Sequence, residues 1–348
     1  MAPGLMSIAD FNKDGHMDIA VEQFLGGHES VFLNKGDGTF HPPRHYSLGA
    51  LGGDFQVMDD FNEDGNPDLA VSNVATANVS ILLGNPDGSF RPVILLPAGI
   101  GPGGVASGDF NNDAHSDVAV TSLDGSMTVI LGRGDGTFGQ SVTRPVGIPI
   151  VGELIGVAIT VGDFNHDGNL DIARGAGATQ RVGILLGNGD GTFKYPKNYW
   201  VGLVPWCQSN ADLNADGNID LIESNAAGST VAVLLGNPDG SFQAADYYPS
   251  GIVAMCNDVV DLDNDGNQDV LSTDGVQPTF RILLGNGDGT LQAPQVLPVG
   301  VVPWAVTHGD LNGDGKQDLV VANGGGGTIA VLMGNGDGTV QAPVHYGA

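Results

Sequence analysis

A nonapeptide of the form D-x-N-x-D-G-x-x-D recurs seven times in 348 residues, and its spacing narrows what the chain can fold into. The copies occupy residues 10–18, 60–68, 109–117, 163–171, 212–220, 261–269 and 310–318, with starts 50, 49, 54, 49, 49 and 49 residues apart. About half a repeat later comes an apolar run closing in G-N-G-D-G-T-F or a near variant, with Asp37, Asp87, Asp135, Asp190, Asp239, Asp288 and Asp337 as its aspartates. A fixed period of this size marks a repeat architecture, in which stacked units bury faces that none could bury alone.

Four strand-like pieces fit in each period. In the last repeat they are residues 304–309, 318–323, 328–333 and a stretch around 340–346. The first three are short and rich in Val, Ile, Leu and Ala, as suits strands buried on both faces. The fourth often carries proline: Pro42, Pro43, Pro92, Pro145, Pro196, Pro294 and Pro343. Proline cannot donate to a ladder, so this piece belongs on an outer edge. Four strands per unit of ~45–50 residues describe a propeller blade. A parallel β-solenoid has much shorter rungs and needs no proline-bearing edge.

The expected fold is therefore all-β: a single seven-bladed β-propeller with four antiparallel strands per blade. Its blades fall near 1–49, 50–98, 99–147, 148–202, 203–251, 252–300 and 301–348. The chain opens on a first strand and stops on a fourth, so the ring should close by face packing of blades one and seven.

The acidic loop has the composition of a calcium site. Calcium takes six to eight oxygens, and a tight turn with a glycine at position 6 can supply them. Position 1 is Asp10, Asp60, Asp109, Asp163, Asp212, Asp261 and Asp310. Position 3 is Asn12, Asn62, Asn111, Asn165, Asn214, Asp263 and Asn312. Position 5 is Asp14, Asp64, Asp113, Asp167, Asp216, Asp265 and Asp314. Position 7, offering its backbone carbonyl, is His16, Asn66, His115, Asn169, Asn218, Asn267 and Lys316. Position 9 is Asp18, Asp68, Asp117, Asp171, Asp220, Asp269 and Asp318. An EF-hand is excluded, because position 12 has no bidentate Glu and no helices flank the loop.

Up to seven calcium ions are expected, in unequal sites. Blade six, with four carboxylates, should bind most tightly. Blade three has Ala114 in place of glycine and should bind most weakly. The ligand positions of the loops hold 22 of the 40 acidic residues, and seven ions would halve the formal charge of −28. That charge, with only 12 basic residues, excludes nucleic acid and anionic lipid as partners. No apolar run approaches a membrane span, and no signal peptide precedes the first repeat, so a trimmed or longer parent chain is expected.

These paired motifs resemble the FG-GAP/VCBS repeat family, which includes the N-terminal propeller of integrin α subunits, and the resemblance covers essentially the whole chain. It implies a seven-bladed propeller, calcium between the first and second strands, and an extracellular or cell-surface setting. Integrin-like propellers carry calcium in only some blades, whereas the motif stands here in all seven. The family leaves function open, embracing adhesion modules, lectin-like domains and parts of polysaccharide-acting enzymes.

In an up-and-down blade the calcium loops and the G-D-G-T hairpins share one face, and both repeat closely. Variable segments lie opposite, where a ligand is expected. Candidates there are Trp206 and Trp304, in V-P-W turns, with Phe55, His28, Phe24 and Trp200. Exposed aromatics stack on sugars or anchor protein interfaces, and the same rings could instead seal blade junctions. Residues 147–157 lengthen one connection by five residues and could overhang the channel mouth.

Arg133-Gly134-Asp135 spells an adhesion tripeptide but sits where other repeats have Asn-Gly-Asp in a turn. Cys207 and Cys256 occupy equivalent places in neighbouring blades and could be bonded or free. Neither a nucleophile–base pattern nor a catalytic set among the eight histidines appears. The expectation is a monomeric, calcium-stabilised extracellular binding or scaffold propeller for glycan or protein. The alternatives are a polysaccharide lyase or hydrolase, or the propeller part of one, and a ligand-free spacer in a longer surface protein.

Overall fold

The structure, a computed structural model, describes residues 2–24, 26–50, 52–145 and 158–348. Among the described residues, twenty-eight strands form seven four-stranded antiparallel sheets, each built from four consecutive strands. Blade one comprises Ala2–Ala9, Asp18–Phe24, His28–Phe32 and Arg44–Ser47. Blade seven comprises Pro303–Gly309, Asp318–Asn323, Thr328–Leu332 and Val344–Gly347. The extended connection at 147–157 lies outside the described residues.

The proline reading needs one adjustment. Pro42, Pro43, Pro92, Pro196, Pro294 and Pro343 stand just before the outer strand, and Pro145 is its last residue. In blade seven the stretch from Val340 is thus not all strand; Val340 makes only an isolated bridge to Gly334. Proline brackets the edge strand at positions where no ladder N–H is required.

Second strands are buried on both faces: every residue of Asp68–Asn73 and of Asp318–Asn323 is buried. Apolar side chains from facing sheets meet in one cluster per blade junction. Phe61, Val79 and Ile81 pack on Val118, Val120 and Ile130 between blades two and three. At the closure, Ile19, Val21 and Phe32 pack on Val320, Ile329 and Val331. Among the described residues no strand is exchanged between blades one and seven.

The repeated motifs also tie neighbouring blades together. Position 2 of each acidic loop packs on the apolar residue closing the next blade's hairpin. Ring centroids are 6.0 Å apart for Phe11–Phe90, 5.8 Å for Phe61–Phe138, 5.7 Å for Phe110–Phe193 and 5.6 Å for Phe164–Phe242. Leucine and valine continue the series with Leu213–Leu291 and Leu262–Val340, and Leu311–Phe40 completes the circle. Aromatic pairs of this kind add about 0.5–1.5 kcal/mol to the gain from burial. Backbone bonds follow the same route: Gly136 N donates to the Phe61 carbonyl at 3.1 Å. Gly136 has φ +77°, and a Cβ there would come within 2.7 Å of Leu83, so only glycine fits.

Candidate metal loops and channel-mouth site

Each acidic loop closes on itself through its carboxylates. In blade one, Asp10 accepts from Asp14 N at 3.0 Å and Gly15 N at 2.8 Å, and Asp14 accepts from His16 N at 2.9 Å. The same pattern recurs in blade six, where Asp261 accepts from Asp265 N at 3.2 Å and Gly266 N at 3.0 Å. Two residues per loop take the left-handed conformation. Glycine at position 6 was legible; position 4 was not, since it carries Lys13, Glu63, Asn112, His166, Ala215 and Asn264 at φ between +53° and +59°. Ala114 is held at φ +69°, a conformation that costs a residue with a Cβ about 1–2 kcal/mol.

The structure brings positions 1, 3 and 5 together. In blade six, oxygens of Asp261, Asp263 and Asp265 lie within 4.8 Å of one another, a donor set of the hard, anionic kind that calcium takes. Burial, with the charges of Asp265 and Asp261, raises the Asp263 carboxyl above its ordinary pKa. In the other loops an amide replaces the third carboxylate. Blade two differs again, because Arg91 reaches Asp64 at 2.6 Å and covers a carboxylate oxygen from outside.

Position 9 does something the sequence did not reveal. Asp68 is fully buried; its Oδ2 accepts from Phe61 N at 2.9 Å and its Oδ1 from Gly84 N at 2.6 Å. The other six copies repeat this, from Asp18 with Phe11 and Asn34 to Asp318 with Leu311 and Gly334. Each ninth-position carboxylate thus clamps the acidic loop to the start of the hairpin, which places both on one face. Burial pushes Asp68 up to about 7 and Asp18, Asp117, Asp171, Asp220 and Asp269 up to about 6, against the lowering effect of the two backbone bonds. The carboxylate oxygens keep lone pairs beyond those the backbone uses.

Position-7 side chains lean away from a ligand role. Asn66, Asn169, Asn218 and Asn267 donate back to the position-5 aspartate, and His115 pairs with Glu63 at 2.6 Å. The part expected of position 7 falls to its backbone carbonyls. The hairpin aspartates are turn formers: Asp135 accepts from Thr137 N at 2.9 Å and Thr137 Oγ1 at 2.6 Å. The Arg133-Gly134-Asp135 sequence is therefore an exposed turn of the repeating kind.

At the opposite end of the channel, irregular pairing gathers side chains that regular strands would have dispersed. In blades one, two, three, five, six and seven the register of the first strand shifts near its start, between Pro3 and Met6, Gly53 and Gln56, Pro102 and Val105, Pro205 and Gln208, Ala254 and Asn257, and Pro303 and Ala305. Such bulges re-aim side chains. The residues skipped by the ladder include Leu5, Phe55, Trp206, Met255 and Trp304, and all five line one small cleft of about 40 Å³. Phe24 joins them, its ring edge-on to Trp304 at 4.8 Å, and Glu22 lies at the base. Below the cleft the channel widens to about 310 Å³, walled by polar groups such as Gln56, Gln208, Ser209 and Asp258.

Three polar residues of the channel wall also stitch blades together: Gln56 donates to the Glu29 carboxylate at 3.2 Å, Asn257 to the Ile222 carbonyl at 3.4 Å, and Gln208 to the Ala173 carbonyl. Cys207 and Cys256 are joined in a disulfide between the first strands of blades five and six, with Cα atoms 4.8 Å apart. Two sequence candidates fall elsewhere. His28 hydrogen-bonds the Gly26 carbonyl at 3.1 Å and packs on His45, while Trp200 lies on the outer strand of blade four. Among the described residues no helix is long and apolar enough to cross a membrane.

Comparison with known proteins agrees with this architecture. The FG-GAP-like repeat pattern matches residues 60–120, 109–174, 212–272 and 261–321, and the FG-GAP repeat pattern matches 302–341. No curated protein matches the sequence. Among solved structures, the chain is similar to a lectin of Agrocybe aegerita described as recognising non-reducing terminal N-acetylglucosamine: 20% identity, TM-score 0.59, covering 93% of this chain and 86% of the lectin. It is also similar to a protein of unknown function from Desulfotomaculum acetoxidans, at 14% identity and TM-score 0.67 over 94% of each chain. A third is described as a putative 6-phosphogluconolactonase from Bacteroides uniformis, at 14% identity and TM-score 0.70 over 98% of this chain and 95% of that one. At these identities the likeness is one of fold.

Proposed function

Because the chain belongs to the FG-GAP repeat family, we propose that it is a calcium-stabilised binding propeller that works outside the cell and takes a glycan or protein ligand on the face opposite its acidic loops. The observation that carries this reading is the channel mouth, where Phe24, Phe55, Trp206 and Trp304 wall a single cleft above a polar channel. Aromatic anchors over desolvated ground are the usual centre of a recognition site. The cleft admits one small group, so a ligand would insert a tip there and rest on the surrounding loops. Positions 1, 3 and 5 of the acidic loops, with the position-7 carbonyls, would hold calcium, whose charge would relieve the crowding of carboxylates in each turn.

A glycan and protein-ectodomain array is the test. Saturable binding that falls at least tenfold in Trp304→Ala and Trp206→Ala, with the melting temperature held, supports the reading. Binding indifferent to both substitutions sinks it.

One observation favours a second, enzymatic reading. His308 Nδ1 lies 2.8 Å from Asp258 Oδ2 beside the channel. Burial works against the charged ring, but the hydrogen bond and charge of Asp258 prevail and raise the His308 pKa. Such a pair can move protons. New reducing or unsaturated ends in a polysaccharide incubated with the protein, lost in His308→Gln, would establish it.

A further inference from the structure

Residues 194–200, Lys-Tyr-Pro-Lys-Asn-Tyr-Trp, break the repeat on the outer edge of blade four. The corresponding stretches of the other blades, such as Gln-Ala-Pro-Gln-Val-Leu-Pro at 292–298, contain no lysine and no tryptophan. On this edge a chain of 40 acidic and 12 basic residues places two lysines beside exposed aromatic rings.

On one side of the stretch, Lys194 and Tyr195 face Arg144 of blade three across a cavity of about 120 Å³. On the other side, Asn198 and Trp200 face Gln243 and Tyr247 of blade five across a groove of about 480 Å³. Lys197 stands between them, 5.3 Å from the Tyr199 ring. Tyr195, Trp200 and Tyr247 are 79%, 55% and 45% exposed. Exposed rings strung along a groove offer flat faces at low entropic cost. The amides of Asn198 and Gln243 supply donors and acceptors for hydroxyls. Arg144 and Lys194 supply the charge a carboxylate would need, Arg144 as a planar fork.

We propose that this rim is a second binding site, for a polysaccharide strand bearing uronic acid carboxylates. Sugar rings would stack on Tyr195, Trp200 and Tyr247, and a carboxylate would sit between Arg144 and Lys194. Charge complementarity favours the anionic strand: Arg144, Lys194 and Lys197 gather on this edge, beside Asp190, Asp167 and Asp239, in a chain whose formal charge is −28. The rim stands apart from the channel mouth, sharing none of its lining residues.

The test is calorimetric titration of the full chain with hexasaccharides based on glucuronate, galacturonate and mannuronate, each beside its carboxyl-reduced counterpart and beside poly-glutamate. The expected result is saturable binding of at least one uronate hexasaccharide, at least tenfold weaker for its reduced form and for poly-glutamate. Trp200→Ala and the pair Arg144→Gln, Lys194→Gln should each weaken it at least tenfold without moving the melting temperature, these being exposed side chains. Trp304→Ala should leave it unchanged, which separates this site from the channel mouth. Equal binding of the reduced sugar or of poly-glutamate, wild-type affinity in the rim variants, or no binding across the panel would overturn the proposal.

Discussion

Asp68→Ala separates the two roles a ninth-position aspartate can have. The carboxylate is fully buried and accepts from Phe61 N and Gly84 N. Its removal leaves two backbone N–H groups without acceptors in a site too tight for bulk water, at about 1–3 kcal/mol each. Relief from desolvating the carboxylate, visible in its raised pKa, offsets part of this. A net loss of about 3 kcal/mol is expected in the absence of metal. Unfolding entropy of about 2.1 cal/mol/K per residue gives about 0.7 kcal/mol/K for this chain, hence a fall of about 4 °C in melting temperature. The control is Asp60→Ala, whose bonds to Asp64 N and Gly65 N are exposed and replaceable by water. Both variants should be melted in excess chelator, and amide exchange followed at Phe61 and Gly84. The reasoning fails if Asp68→Ala melts within 1 °C of wild type there, or if Asp60→Ala falls as far.

Three further outcomes are expected. Asp263→Asn removes the carboxylate that distinguishes blade six, so the tightest calcium step in a titration should weaken about tenfold; an unchanged first step would refute the ranking. Ala114→Gly relieves a Cβ held at φ +69°. After the extra unfolded-state freedom of glycine is subtracted, it should gain about 0.5–1 kcal/mol, read as a higher urea midpoint. Burial raises the carboxyls of Glu29 and Glu223 well above their ordinary value. An acid raised on folding contributes stability that is present below about pH 4.5 and lost as pH climbs through the folded pKa. Glu29→Gln and Glu223→Gln should therefore raise the melting temperature more at pH 8 than at pH 4.5, and a pH-independent effect would contradict the cause given.

Blade number, strand count and the shared face of loops and hairpins were legible because each rests on local chemistry repeated seven times. A single Asp-Gly turn says little; the same turn in register says where strands begin. The clamp at position 9 was not legible, since an aspartate that binds metal and one that caps two backbone amides are spelled alike. Nor was the channel mouth. The motif placed Trp206 and Trp304 near the opposite face, but their convergence with Leu5, Phe55 and Met255 depends on bulges that no residue type announces. Trp200 stood out by its identity, yet its groove is formed with Gln243 and Tyr247, some forty-five residues further on. The extended connection at 147–157 falls outside the described residues.

The series of contacts from each acidic loop to the next hairpin passes from Leu311 to Phe40 just as it passes from Phe61 to Phe138. Among the described residues every sheet is built from consecutive strands, and no junction depends on a borrowed strand. Apart from the Cys207–Cys256 disulfide, which spans the junction of blades five and six, the ring therefore has no privileged opening. If the two ends were joined and the backbone cut between any other pair of blades, all seven sheets would survive with their partners unchanged. Circular permutation should cost no more than the new linker's closure entropy, and the order in which the blades are made should be free to vary while the finished ring stays the same.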